Sequence, residues 1–273
     1  MCDACVINAV KDRMLSRRDM FRAVAGGAAV AAIGTAATAP AALAAGAAKV
    51  EDLTHELHEA FPTYFGTQTF HRKQLTSLEK NGFNTFEWRL SEHTGTHIDA
   101  PLHFTADGAS VAEIPVGQLV APLCVVDIKA KADASADAQV TPDDLKAWIA
   151  KHGAIPDNAC VAMNSGWDKR ASGDTFRNAD GEGKMHFPGF HAEATKMLME
   201  ETKAVGIAVD TLSLDHGISA DFAVHYSWLP AGRWGIENIA NLDAVPANGA
   251  TLVVGAPKVR GGTGGPCRLI AMV

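Results

Sequence analysis

The stretch of sequence that decides the fold is EHTGTHIDAPLHF, residues 92–104. Within eleven positions of it lie four side chains of the kinds that bind metal ions or transfer protons. Residues two apart in an extended chain face the same side, so we expect His97 and Asp99 to point together. Gly95 permits a bend of the backbone that brings His93 towards the same point.

The end of this segment adds a proline and a further histidine. Pro101 ends regular strand pairing and lets the chain turn, so His103 can return towards the other side chains. Two imidazoles and a carboxylate suit Zn²⁺ or Mn²⁺, and an open coordination position would make a bound water more acidic. The alternative is a polar loop whose histidines serve the structure alone. The density of ligand-type residues favours a divalent metal site.

The rest of the chain predicts more strands than helices. Thr141, followed by Pro142, opens a helix that stops at Gly153, and an amphipathic helix is expected over residues 192–205. Apolar or alternating runs predict strands at 50–53, 84–90, 123–128, 159–163, 207–212, 251–254 and 269–273. The run at 84–90 has the alternation of a half-buried strand. We find no phosphate-binding glycine loop, internal repeat or linker. Residues 49–273 are therefore expected to form one α+β domain.

Residues 1–48 have the composition of an export signal and leader. Arg17 and Arg18 precede a long Ala/Gly-rich apolar run, and Ala42-Leu43-Ala44 fits the pattern of a cleavage site. Paired arginines before a weakly hydrophobic segment resemble a twin-arginine signal. The alternative is a transmembrane anchor, but alanine and glycine drive bilayer insertion poorly. We expect a periplasmic or secreted protein with no stable membrane anchor after cleavage.

Composition and charge limit the classes of function. The chain has 273 residues, 47% of them hydrophobic and 20% charged, as in a soluble globular protein with a sizeable core. The formal charge is −7 and no basic cluster lies beyond the N-terminus, which argues against nucleic-acid binding. Beyond the leader, three cysteines are too few for a disulfide framework, and buried thiols are expected at Cys124 and Cys160.

The segment that opens this section resembles the cyclase family, which includes bacterial kynurenine formamidases and isatin hydrolases. The family signature is H-x-G-T-H-x-D-x-P-x-H, and every fixed position is present from His93 to His103. The likeness covers roughly the whole chain beyond the leader. It includes Asp52-Leu53-Thr54, the strand-like segment 209–215, His225, and Glu237 within Gly235-Ile236-Glu237-Asn238.

The resemblance implies a swivelling β/β/α fold, commonly found as a homodimer, so we expect a homodimer or a higher homo-oligomer. It implies that His93, His97 and Asp99 hold one divalent metal, Zn²⁺ or Mn²⁺, with His103 as the general acid/base. In members that use two metals, Asp99 would bridge to a second ion held also by His225 and Glu237. Without the resemblance, His225 and Glu237 would be ordinary residues.

The function implied is hydrolysis of an amide on an aromatic compound by metal-activated water, with His103 moving the proton. The amide is an N-formyl arylamine or an isatin-type cyclic amide, and export favours an environmental substrate over kynurenine. One alternative is an exported divalent-metal-binding protein without turnover, which has no use for His103. Another is a lactone or ester hydrolase of the same family. Aromatic side chains available for a pocket are Phe61, Tyr64, Phe65, Trp88, Trp167 and Trp228.

The remaining histidines and two late aspartates carry no spacing argument. Asp210 and Asp215 follow an apolar run, where aspartate commonly caps a turn. We interpret the seven other histidines as structural or exposed, namely His55, His58, His71, His152, His186, His191 and His216.

Overall fold

A computed structural model describes residues 49–171 and 173–273. The predicted leader, residues 1–48, lies outside the described residues. The strands are β1 (Val50–Asp52), β2 (Phe70–Thr76), β3 (Thr85–Leu90), β4 (His97–Asp99), β5 (Val120–Asp127), β6 (Gln139–Val140), β7 (Cys160–Asn164), β8 (Gly189–Phe190), β9 (Gly206–Val209), β10 (Trp234–Glu237), β11 (Ala250–Gly255), β12 (Gly264–Pro266) and β13 (Arg268–Met272). The helices are α1 (Leu78–Asn81), α2 (Lys129–Ala134), α3 (Pro142–His152), α4 (Ala192–Glu201) and α5 (Ala223–Trp228). Short 3-10 helices include Pro101–His103, Trp167–Arg170 and Leu242–Ala244.

A mixed sheet of nine strands organises the main unit, residues 49–71 and 89–273. Its strand order is β1-β13-β11-β5-β7-β9-β10-β4-β12. The four central strands β5, β7, β9 and β10 run parallel, and the outer strands pair antiparallel. Strands β4 and β10 are therefore neighbours although they are far apart in the sequence.

Both faces of this sheet are buried, as its apolar strands require. Along β5, Cys124 and Val126 face a core that includes Trp148 of α3. Leu123 and Val125 face the opposite core. Alternate side chains of a strand point to opposite faces, so a continuous apolar run fits a strand covered on both sides.

The two longer helices begin where the sequence predicts. Thr141 and Asp144 form a capping box at the start of α3, and Gly153 ends the helix with a φ of 91°. Helix α4 begins at Ala192 as expected but ends at Glu201, four residues before the predicted end. The physical reason is that Thr202 adopts an extended conformation, with φ −138° and ψ 171°, and the Val205 N–H then donates to Ala159 O, which leads the chain into β9.

Residues 72–88 form a separate unit, most of a hairpin made by β2 and β3. Ser77 caps α1 within it by accepting a hydrogen bond from Lys80 N at 3.3 Å. The predicted strand at 84–90 is present as β3, but the expectation that it is half-buried is wrong, since all six of its residues are exposed. Alternation marks the two faces of a strand without showing that one of them is covered.

The structure confirms the α+β class and the state of the cysteines. Cys124, Cys160 and Cys267 are buried and free. Burial raises the pKa of Cys124 to about 12, so this thiol is not ionised at neutral pH. None of the helices in the described ranges is long and apolar enough to cross a membrane.

Candidate metal centre and substrate cavity

The signature segment folds as a turn, a short strand and a 3-10 helix. Gly95 has a φ of 65°, in the left-handed region that glycine adopts without strain. Strand β4 follows at once, and it places His97 and Asp99 on the same face, as their spacing predicts. Pro101 then starts the helix that ends at His103. The predicted bend and turn are both present.

Strand pairing brings Glu237 to the same place. In the antiparallel pair of β4 and β10, Glu237 lies directly opposite His97, and Gly235 lies opposite Asp99. The Glu237 carboxylate also accepts a hydrogen bond from Leu214 N at 3.1 Å. A residue 140 positions away in the sequence thereby becomes a neighbour of the signature.

Helix α5 supplies His225, and a buried aspartate holds that histidine. Asp215 accepts hydrogen bonds from Val224 N at 2.8 Å and His225 N at 3.2 Å. Its Oδ2 also lies 2.6 Å from His225 Nδ1. The other ring nitrogen, Nε2, faces Asp99 and Glu237.

The facing atoms are separated by the distances found between ligands of small divalent cations. His97 Nε2 lies 3.4 Å from Asp99 Oδ1 and 3.4 Å from Glu237 Oε2. His225 Nε2 lies 3.2 Å from Glu237 Oε1 and 3.7 Å from Asp99 Oδ2. Ligand atoms about 2.1 Å from a tetrahedral Zn²⁺ lie roughly 3.4 Å apart. The two carboxylates each turn one oxygen to His97 and the other to His225.

His93 and His103 complete the group. His93 Nδ1 lies 2.6 Å from Asp99 Oδ1, and Nε2 lies 2.9 Å from Thr263 Oγ1. The His103 ring stacks on His93 with centroids 3.8 Å apart. Nitrogen and oxygen atoms of His93, Asp99 and His103 all come within 4.8 Å of one another, as do those of His97, Asp99 and Glu237. All six residues singled out in the sequence therefore meet.

Hydrogen bonds fix which nitrogen of each histidine is left to bind a cation. A carbonyl or carboxylate oxygen only accepts, so the Nδ1 atoms of His97 and His225 donate to Gly95 O and Asp215. The Thr263 hydroxyl donates to a carboxylate and therefore accepts from Nε2 of His93. In each ring the remaining nitrogen faces Asp99, Glu237 or both, as in metal sites where ligand histidines are held from behind.

The electrostatics of the group favour positive charge. Burial lowers the pKa of His97, but Asp99 and Glu237 raise it more, to about 9. The pKa of His225 is also raised, because the three nearby carboxylates outweigh burial. Burial raises the pKa of Asp99, but the three neighbouring histidines, His225, His93 and His97, lower it well below 3.8. For His103, burial lowers the pKa to about 4, so its ring is neutral at neutral pH.

A divalent cation fits this donor set. Within the part of the chain that the structure describes, His97 Nε2 and Asp99 Oδ2 are buried without a hydrogen-bond partner. Leaving a buried polar atom unsatisfied costs about 1–3 kcal/mol. Imidazole and carboxylate ligands suit Zn²⁺ and Mn²⁺, and a cation among these atoms would satisfy both orphaned groups.

A cavity of about 340 Å³ opens onto the histidines and Glu237. Tyr64, Phe65, Phe104 and Phe222 are among its walls, and Phe104 and Phe222 lie against His225 at centroid distances of 4.6 Å and 5.7 Å. No lysine or arginine is among the described residues that line it. The remaining lining residues are Pro62, Thr63, Thr69, Ser91, Gly95, Leu212, Ser213 and Asn238.

Only some of the aromatic residues suggested by the sequence line this cavity. Tyr64 and Phe65 do, whereas Trp167 and Trp228 lie in the core with their indole N–H groups bonded to backbone carbonyls. Phe61 belongs to the aromatic core cluster of Trp167. The seven histidines interpreted as structural or exposed do not line this cavity.

Sequence reasoning missed Asp215, Phe104 and Phe222. Asp215 ends the segment that resembles the family's late strand, and its hydrogen bond to a histidine ten residues on is not visible in any spacing rule. Phe104 directly follows the last histidine of the signature, which was the available signal.

Comparison with known proteins gives the class of this protein. The family model described as putative cyclase matches residues 51–216. An isatin hydrolase of Roseibium aggregatum is 35% identical over 212 residues, which cover 73% of this chain and 80% of the relative. A kynurenine formamidase of Salinibacter ruber is 26% identical over 192 residues, 70% of this chain and 81% of the relative.

A solved structure agrees with these relatives. Isatin hydrolase A from Labrenzia aggregata, bound to benzyl benzoate, superposes with a TM-score of 0.79 at 36% identity, covering 85% of this chain and 96% of the other. The chain belongs to the cyclase family and has its fold. It is a metal-dependent hydrolase that acts on carbon–nitrogen bonds other than peptide bonds. These relatives favour an enzyme over a metal-binding protein without turnover.

Proposed function

We propose that this protein opens the cyclic amide of a neutral, isatin-type aromatic compound. The observation that carries the proposal is the aromatic cavity of about 340 Å³ lying directly on the His/Asp/Glu group. Its size suits a small aromatic ring, and Phe65, Phe104 and Phe222 offer surfaces on which such a ring can pack. Relatives named isatin hydrolase support the same substrate class.

The charge of the cavity favours a neutral ring over N-formylkynurenine. An amino-acid tail carries an ammonium and a carboxylate, and burying either without a partner is costly. Among the described lining residues, Tyr64 is the only ionisable one besides the histidines and Glu237. The carboxylates around the histidines would repel a substrate carboxylate brought close to them.

The roles follow from position. His93, His97 and Asp99 are proposed to hold one divalent ion, Zn²⁺ or Mn²⁺, and Asp99, His225 and Glu237 a second. A divalent cation supplies Lewis acidity, which polarises a carbonyl and makes water more acidic. His103, neutral and facing the same cavity, is proposed to accept and return the proton, while the aromatic walls hold the ring and exclude water.

The decisive assay compares substrates on one metal-loaded preparation. We expect kcat/KM for isatin to exceed that for N-formylkynurenine and for simple lactones at least about tenfold, or roughly 1.4 kcal/mol. Metal-stripped protein should be inactive, and re-addition of Zn²⁺ or Mn²⁺ in separate samples identifies the effective ion. A preference for N-formylkynurenine would contradict the substrate, and a preference for lactones would favour ester hydrolysis.

Export by the twin-arginine route is a second part of the proposal. It rests on Arg17, Arg18 and the apolar run behind them. Replacing both arginines by lysine should leave the precursor in the cytoplasm, as fractionation and blotting would show. A shortened periplasmic form in unchanged amount would contradict this route, and a full-length membrane-bound product would favour an anchor.

We also propose a homodimer, as the resemblance implies. The hairpin unit exposes Leu75 and Leu78, with 52% and 62% of each residue accessible, and these apolar side chains are where we propose that the second copy packs. Light scattering should give twice the chain mass, and Leu75→Glu with Leu78→Glu should lower it. Lys73→Glu is the control, because it makes the same change in net charge at an exposed residue of β2, the strand that contains Leu75.

A further inference from the structure

A buried carboxylate outside the proposed ligand set contacts one of the ligands directly. Asp215 is 2% exposed and lies at the C-terminal side of β9, ten residues before His225. Its Oδ1 accepts from Val224 N, and its Oδ2 accepts from both the backbone N and Nδ1 of His225. Three of its hydrogen bonds therefore end on the first residues of α5.

The contact with the ring has a chemical consequence. Because an ionised carboxylate only accepts hydrogen bonds, the proton of a neutral His225 ring sits on Nδ1. The lone pair is then on Nε2, which faces Glu237 Oε1 at 3.2 Å and Asp99 Oδ2 at 3.7 Å. A lone pair directed at two carboxylates is unfavourable unless a cation lies between them.

The backbone in front of His225 needs the same contact. Phe222 has φ 51° and ψ 42°, the left-handed region that a bulky side chain rarely adopts. Such a conformation costs about 1–3 kcal/mol and persists where neighbouring contacts hold it. The hydrogen bonds from Val224 N and His225 N to Asp215 begin two residues later and fix the direction of the helix.

We infer that Asp215 is a positioning residue, which holds His225 in the Nδ1–H tautomer with Nε2 aimed at the proposed metal. This inference rests on the proposed metal centre. The inference extends the proposed metal centre, because a residue interpreted from the sequence as a turn cap also determines how well the site binds a cation. Carboxylates that hold a ligand histidine from behind typically change metal affinity 10–100-fold when removed.

The test measures cation affinity rather than activity. Metal-stripped protein is titrated with Zn²⁺ against a chromophoric chelator, in the parent and in Asp215→Asn. Asparagine has the same shape as aspartate, but its amide NH₂ cannot accept a hydrogen bond and would face one of the N–H donors of Val224 or His225. We expect Kd to rise about 10–100-fold. Ser219→Ala is the matched control, since Ser219 contacts Asp215 Oδ1 without touching His225, and its Kd should stay unchanged.

A second variant separates helix capping from orientation of the ring. Asp215→Ser has a shorter side chain and no carboxylate to reach Nδ1 of His225. We expect its Kd to be raised as in Asp215→Asn, while its metal-free melting temperature reports separately the loss of the contact with Val224 N. In Zn²⁺-loaded parent protein, ¹⁵N NMR of histidine should report the Nδ1–H tautomer at His225.

The results that overturn the inference are distinct from those that overturn the metal centre. If both Asp215 variants melt lower but bind Zn²⁺ with the parental Kd, Asp215 is a helix cap and the inference is wrong. His225→Ala supplies the other reference. If that variant also binds with the parental Kd, His225 is not a ligand, and the proposed second ion and the inference fail together.

Discussion

Replacing His103 by alanine separates proton transfer from metal binding. The His103 ring stacks on His93 at a centroid distance of 3.8 Å and lies 6.1 Å from the ring of His225. A general acid/base typically contributes about 10²–10⁴-fold to the rate. The change should therefore raise the activation barrier by about 3–5 kcal/mol, seen as a fall in kcat.

The effect on stability should be much smaller than the effect on rate. His103 is only half-buried and lies at the end of a three-residue 3-10 helix, so its truncation leaves no enclosed cavity. A loss of about 1 kcal/mol is typical of such a change. That corresponds to roughly 2–4 °C in Tm for a domain of this size.

The assay measures metal content, Tm and kcat on one preparation of His103→Ala. His71→Ala is a matched control, because His71 is exposed and does not line the cavity. Retained metal with a kcat at least about a hundredfold lower supports the role. Near-normal kcat would refute it. Loss of metal would make His103 a ligand, which the 4.8 Å grouping with His93 and Asp99 permits.

Three further changes test the ligands, the cavity wall and the scaffold. His97→Ala should lose metal and activity together, and full metal occupancy by elemental analysis would exclude His97 as a ligand. Phe65→Ala should raise KM about tenfold by removing an aromatic contact with the substrate. The Tm should stay unchanged, because Phe65 is 80% exposed. An unchanged KM would show that Phe65 does not contact the substrate. Asp243→Asn should lower Tm by roughly 1–3 °C at pH 7, because hydrogen bonds from Lys129 and Lys169 hold the pKa of Asp243 well below 3.8. This stabilisation is present above pH 3.8 and is lost as the pH falls through the depressed folded pKa, so the difference from the parent should shrink in acid. Asp157→Asn, which removes a more exposed ion pair with Lys203, should have almost no effect, and equal losses in the two variants would contradict the argument.

Local features of the site could be predicted because they depend on local geometry. The two-residue period of a strand places His97 and Asp99 together whatever the strand pairs with. The positive φ of Gly95 and the turn at Pro101 follow from the backbone chemistry of those residues. The capping box at Thr141 is equally local, and the predicted start of α3 is confirmed.

Features that depend on long-range pairing could not be predicted from residue patterns. Strands β4, β10 and β12 have only three or four residues each, too few to show a period. Their pairing is what sets Glu237 opposite His97 and Gly264 opposite Asp99. The family resemblance pointed to Glu237 where residue types alone could not.

Aromatic residues show the same limit for the cavity. Trp228 is large and lies three residues after His225, yet it is fully buried and donates its indole N–H to Trp234 O at 2.8 Å. Phe222 lies three residues before His225 and lines the cavity instead. The difference depends on the direction of α5, which the hydrogen bonds of Asp215 determine.

Fold stability does not explain why so many charged groups are buried together. Asp99, Asp215 and Glu237 are each less than a tenth exposed, and each faces a buried histidine. Removing ions from water costs several kcal/mol each, and apolar residues of similar volume often give a more stable protein. In the neutral rings, the nitrogens that face the carboxylates are the ones that the backbone and Asp215 leave without a proton. A cluster that costs stability, while its lone pairs are directed at carboxylates beside an aromatic cavity, is explained by binding a cation and acting on a ligand held in that cavity.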